Sequence, residues 1–252
     1  LYDAAVAGFA TNEAYYKAQG LNPDGTPNPA YEKMLDVDNI IDYMTINFYI
    51  GNTDGPVVMR GGNMVNNFFM VYNRENPNGW RVMLHDTENA LSNPNETTST
   101  QDSSCGNQFQ YFNARWLLQR LMENPECRQR FADRLYQHMG EGGPLSPERA
   151  TQIFLARADQ IREAIICESA RWGDIKRGYD VIADDSTAPY TKDDTWQPAI
   201  DYLVNNYIPV RPAVLISQLR AKGWYPTLDA PVFNQDGGHV EPGFTLGMTT
   251  NA

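Results

Sequence analysis

Between positions 35 and 91 the chain alternates apolar elements with polar clusters, and this alternation restricts the possible folds more than any other feature of the sequence. Val37, Ile40, Ile41, Met44, Thr45 and Phe48 recur at helical spacing, with Asp36 or Asp38 available as N-cap and Gly51 as a stop. The pattern predicts a half-buried helix over about 37–50. Two short β-prone runs follow at 68–72 and 81–84, separated by Asn76-Pro77-Asn78-Gly79, a composition that favours a turn. Each element carries a polar cluster at one end: Asn52-Thr53-Asp54 past the helix, Asn66-Asn67 at the hairpin entrance and His85-Asp86-Thr87-Glu88 at its exit.

Entrance and exit of an antiparallel hairpin lie at the same end, so amides and carboxylates converge there without any long-range assumption. A hard cation suits such a cluster. Magnesium takes oxygen ligands, commonly one or two carboxylates plus substrate phosphates, and Asp86, Glu88 and an Asn carbonyl supply that set. The competing reading is that Asp54 and Asn52 cap a helix end while Asn66 and Asn67 make the turn into a strand. Spacing alone leaves both open.

With 252 residues, 42% hydrophobic and 20% charged, the chain can bury a substantial core and is read as one main domain with an appendage. A net charge of −11 argues against nucleic acid as a partner, because neutralising phosphates needs a basic face. No apolar run approaches the roughly 20 residues of a membrane span. Leu1 is not an initiator Met, so the chain is expected to be a piece of something longer. Cys105, Cys127 and Cys167 make an odd count that allows at most one internal disulfide, and free or buried thiols are the simpler expectation.

Elsewhere the pattern is mostly helical. Residues 3–19 are predicted as one helix, followed by the Pro/Gly/Asn loop GLNPDGTPNP. The polar stretch SNPNETTSTQDSSCGNQFQ is either a substrate-facing lid or a surface excursion, and it contains the glycosylation sequon Asn95-Glu96-Thr97. Trp116, Leu117, Leu121 and Met122 form one apolar stripe, Phe131, Leu135 and Met139 another. Ser146-Pro147 opens a third helix whose Ile153, Phe154, Ala158, Ile161 and Ile165 are expected in the core, and two further helices are predicted near 195–207 and 209–222. Arg211, a charge at an apolar helix start, braces an acidic site residue or snorkels to the surface, with a structural role favoured.

Taken together, LDVDNIIDYMTINFYIGNTD, the Asn66-Asn67 pair before an aromatic strand, and WRVMLHDTE resemble the CotH family of atypical, spore-coat-type protein kinases. The resemblance continues through NPECRQRFADRLYQHM, SARWGD and DYLVNNYIPVRPAVLISQLRAKGWYP and covers about 1–228. The HDxE form looks like that of large secreted members. The insert GPVVMRGGNMVN is longer than the family pattern, and its Val57, Val58, Met59 and Gly61-Gly62 are candidates for a flap.

What the resemblance implies is a kinase-like site binding Mg2+ and ATP. Asp54 would face the acceptor hydroxyl as the catalytic residue, with Asn67, or alternatively Asn66, as the metal-holding loop asparagine. Asp86 would be the second metal aspartate and Glu88 its acidic neighbour. Asn52, Asn66, His85 and Arg211 are the supporting candidates. His85 is read as packing in place of the tryptophan of relatives, or as a general base.

The expected fold is α+β and mostly helical: a kinase-like core over 1–228 lacking an N-terminal lobe, a short hairpin carrying the site, and a C-terminal β segment. Residues 229–252 are expected to be a linker and the opening hairpin of a β-sandwich module. The leading functional expectation is a bacterial, extracellular or envelope-associated kinase acting on protein hydroxyls, within a larger multidomain polypeptide. The alternatives are a non-catalytic kinase-like domain of an adhesion or display protein, and a metal-dependent hydrolase using the same carboxylates.

Overall fold

The computed structural model describes residues 1–58, 64–97, 100–105, 108–173, 188–235 and 238–249. The architecture is α+β and mostly helical, with strands only as separate two-stranded antiparallel pairs among the described residues.

Helix α3, Val37–Ile50, is the centre of the packing. Asp36 caps it by accepting from the Asn39 amide, and Gly51 ends it at φ 59°, a left-handed conformation that glycine adopts freely. A side chain at position 51 would also press on Glu96 and on the Tyr207 hydroxyl. The helix is buried more completely than the apolar spacing predicts. Tyr43, Asn47 and Tyr49 are buried along with Ile40, Ile41, Met44 and Phe48, because α4 (Ala114–Leu121), α5 (Pro125–Met139), α9 (Arg211–Ala221) and a hairpin strand all pack against it. Each such large apolar side chain contributes about 1.5–3 kcal/mol relative to exposure.

The hairpin pairs β3 (Phe69–Val71) with β4 (Arg81–Met83), with Met70 opposite Val82 at its centre. Asn39 ties the hairpin to α3: its Oδ1 accepts from the Val82 amide at 2.6 Å and its Nδ2 donates to the Val82 carbonyl at 3.2 Å. Gly79 is required at the crossing just before β4, since a Cβ there would lie 2.7 Å from the Leu35 carbonyl carbon. On the neighbouring face of α3, Asp38 and Asp42 face α5. Arg130 reaches Asp38 at 2.7 Å, and Arg134 and His138 reach Asp42 at 2.7 and 2.9 Å. The helical repeat of the IDY segment thus distributes contacts around one helix: Asp36 caps, Asn39 docks the hairpin and Asp38 and Asp42 dock α5.

Several expectations are corrected. The single helix over 3–19 is two, α1 (Tyr2–Ala7) and α2 (Asn12–Lys17), because Gly8 turns the chain at φ 96° and Thr11 caps afresh by accepting from Ala14. The helix opened by Ser146-Pro147 ends at Ile161, giving α6 (Pro147–Ile161) and α7 (Ala164–Trp172). Of its expected core stripe only Ala158 is buried, while Ile153 is 49% exposed. Amphipathic spacing records an apolar face, and here little of the described chain covers it.

Farther on, α8 (Gln197–Tyr202) is flanked by π-turns at Lys192–Trp196 and Leu203–Tyr207. The polar stretch after the hairpin is pinned rather than free among its described residues. Ser103 bonds Gln119 and Asn113, Asp102 pairs with Lys222, and Gln218 donates to the Glu96 carbonyl. The insert after Asp54 folds back as β1 (Val57–Val58) and β2 (Met64–Val65), whereas Met59, Gly61 and Gly62 of the expected flap lie outside the described residues. Cys105, Cys127 and Cys167 are free. At the C-terminal end β5 (Val232–Phe233) pairs with β6 (Met248–Thr249), both exposed. No helix among the described residues is long and apolar enough to cross a membrane.

Candidate active site

The site is assembled at the C-terminal end of α3 from buried amides outward. Asn47, on the last full turn, donates to the Tyr43 carbonyl at 2.8 Å and accepts from Asn52 Nδ2 at 3.0 Å. Asn52, 1% exposed, in turn accepts from the Asp54 main-chain amide at 3.0 Å. This relay fixes where Asp54 leaves the helix, and burial excludes water from competing for its bonds.

The half-buried Asp54 carboxylate is then gripped by amide groups. Asn66 Nδ2 donates to its Oδ1 at 3.1 Å and to its carbonyl at 2.9 Å. Asn67 Nδ2 donates to the same carbonyl at 3.0 Å, to Oδ2 at 3.4 Å and across to the Asp86 carbonyl at 3.4 Å. A carboxylate only accepts, so these amides must present their NH2 groups, which leaves the carbonyl oxygen of Asn67 uncommitted among the described residues. From the hairpin exit Asn89 Nδ2 reaches Asp54 Oδ2 at 3.4 Å and Glu88 Oε1 at 3.1 Å, while its carbonyl receives both the amide and the hydroxyl of Thr53 at 3.1 Å. The Leu91 amide closes the loop onto the Ile50 carbonyl at 2.7 Å.

Asn52, Asp54, Asn66, Asn67, Glu88 and the Asp86 backbone are therefore brought together; the hairpin geometry predicts the meeting of Asn66 and Asn67 with the 86–88 segment, and Asp54 joins them from the end of α3. Asp86 itself is exposed at φ 51°, and its carboxylate takes no hydrogen bond or ion pair among the described residues. His85 packs its ring edge-on to Phe69, centroids 4.9 Å apart. This is the packing reading. Arg211 is bonded to none of the acidic residues of the cluster and does not snorkel to the surface. It is fully buried and donates to the carbonyls of Phe48 and Tyr49 at the end of α3 and to those of Pro94 and Glu96 in the loop after the hairpin, tying the two together. Burial pulls its guanidinium below the ordinary value. Tyr207 adds a bond to the Tyr49 carbonyl at 2.7 Å.

Asn47 and Asn89 were not singled out from sequence. Asn47 announces itself only as a polar residue on the face of Met44 and Phe48, and Asn89 follows Glu88 in a coil whose contacts are 35 residues distant. Among the described residues no group of three or more His, Cys, Asp or Glu is arranged to hold a metal. The available donors are instead one or two carboxylates with an amide oxygen, an all-oxygen set that fits Mg2+ when phosphate and water complete the shell.

The hairpin that carries Asn67 and Asp86 at its end also has an exposed apolar face. Phe69, Val71 and Met83 project from one face of the hairpin and are 54%, 51% and 51% exposed.

No curated protein and no solved structure matches this chain. The family described as CotH kinase protein matches residues 15–215, a span that contains α3, the hairpin, every residue of the cluster and the Arg211 brace. The chain belongs to the CotH kinase protein family.

Proposed function

We propose that this CotH domain transfers phosphate from magnesium-bound ATP to serine or threonine hydroxyls of a protein acceptor. The observation that carries the reading is the Asp54 carboxylate, oriented by Asn66, Asn67 and Asn89, with Asn67 also reaching the carbonyl of Asp86, whose carboxylate takes no hydrogen bond or ion pair among the described residues. Phosphoryl transfer asks little covalent chemistry of a protein; positioning and charge neutralisation do most of the work. Asp54 would orient the acceptor hydroxyl and take up its proton. Asp86, Glu88 and the side-chain carbonyl of Asn67 are the groups that would hold Mg2+, which supplies neutralisation of the phosphate charge when bound. The exposed Phe69, Val71 and Met83 face lies on the same hairpin and suits a nucleobase, whose flat apolar surface it would shield. The kinase-like core belongs to the same proposal.

The resemblance of the HDxE segment to secreted members supports an extracellular or envelope setting within a larger polypeptide. The exposed apolar strands at Val232–Phe233 and Met248–Thr249 support a further module following the domain at about residue 229. One observation favours a second reading, a non-catalytic display domain: a carboxylate bonded by several asparagines also makes a sound structural staple.

Calorimetric titration with ATP, with and without Mg2+, separates the two. The kinase reading expects binding that requires Mg2+ and disappears in Asp86→Ala; absence of nucleotide binding by the intact protein rejects it.

A further inference from the structure

Asn89 is exposed, lies outside the elements that build the core, and yet touches both carboxylate-bearing loops. Its carbonyl binds Thr53, a contact that any residue at this position retains. Its side chain does something separate: one NH2 group spans Asp54 Oδ2 at 3.4 Å and Glu88 Oε1 at 3.1 Å. Two carboxylates that would otherwise repel are thereby held on either side of a shared donor. Asp54 Oδ1 already has Asn66, and its main chain has Asn52, so these residues fix the loop. Among the described residues Oδ2 has only long contacts at 3.4 Å, from Asn67, which also reaches the Asp86 carbonyl, and from Asn89, which alone joins it to a second carboxylate, that of Glu88.

We infer that Asn89 is a positioning residue for phosphoryl transfer, setting the rotation of the Asp54 carboxylate and its separation from Glu88. The inference rests on the kinase reading above. Because misplacing a reacting group by an ångström costs roughly 10²-fold, loss of this bridge should act on turnover rather than on nucleotide binding.

The test uses the intact protein with Mg2+ and labelled ATP, comparing wild type, Asn89→Ala, Asn89→Asp and Asn89→Gln by kcat, KM for ATP and melting temperature. The expected result is a kcat lower by about 10- to 100-fold in Asn89→Ala, with KM for ATP and melting temperature unchanged. Asn89→Gln, which keeps the NH2 donor, should recover part of the loss, and Asn89→Asp should lose more than Ala by adding a third carboxylate. A wild-type kcat in Asn89→Ala overturns the assignment while leaving the kinase reading in place. A fall in melting temperature that tracks the loss of kcat in every variant makes Asn89 merely structural and also overturns it. No labelling by wild type overturns the kinase reading, and the assignment with it.

Discussion

Asn67 and Asp86 both occupy the left-handed region of backbone space, at φ 48° and 51°, and the Asn67 amide donates to the Asp86 carbonyl at 3.4 Å. Non-glycine residues held there are strained by about 1 kcal/mol or more, though Asn and Asp tolerate it best. Strain at two facing positions of one cluster is a pattern of sites that keep a chemical group at the expense of stability.

Asp86→Gly tests this directly. Glycine adopts positive φ freely, and the carboxylate it removes has no partner among the described residues. Urea unfolding should show stability unchanged or raised by up to about 1 kcal/mol, while activity is lost. A destabilisation beyond about 1 kcal/mol would mean that the carboxylate holds the fold.

Arg211 should behave in the opposite way. Its removal leaves the half-buried Pro94 carbonyl without its donor, although Phe48 keeps Gly51, Tyr49 keeps Tyr207 and Glu96 keeps Gln218. Arg211→Met should destabilise by about 1–3 kcal/mol in chemical denaturation. Arg211→Lys should recover little, because a single ammonium cannot span carbonyls that a planar guanidinium reaches together.

How much of this was readable beforehand follows from the range of each interaction. Helix α3 was predicted with its bounds because spacing, the Asp36 cap and Gly51 all act locally. Convergence of Asn66 and Asn67 with the Asp86 end of the hairpin followed from where a hairpin begins and ends. Asn89 was missed because nothing near it in sequence shows that its amide meets Asp54. The exposure of Ile153 was missed for a different reason: periodicity shows which face is apolar, and the presence of a covering element is a tertiary fact.

The α3–α5 contact makes a pH prediction. Hydrogen bonds from Arg130 hold the Asp38 carboxyl below its ordinary value of 3.8. At Asp42 burial pushes upward, but the bonds from Arg134 and His138 outweigh it and the net direction is also down. A depressed folded value means that the unfolded chain binds more protons as pH falls through 3.8 and below, so this stabilisation is present above that pH and lost beneath it. Unfolding midpoints recorded down through this range should decline more shallowly for Asp38→Asn/Asp42→Asn than for wild type. Parallel declines would assign acid sensitivity to other groups.

Whether the cluster at the end of α3 catalyses phosphoryl transfer is decided by incubating the intact protein with Mg2+ and labelled ATP beside Asp86→Asn, with both melting temperatures recorded. Asparagine preserves the shape of Asp86 and removes its charge, so only a metal-facing role should suffer. The predicted result is labelling reduced by about 10²-fold or more in the variant, with melting temperatures that coincide. Equal labelling in the two proteins, or none in either with a marked fall in the variant's melting temperature, would contradict it.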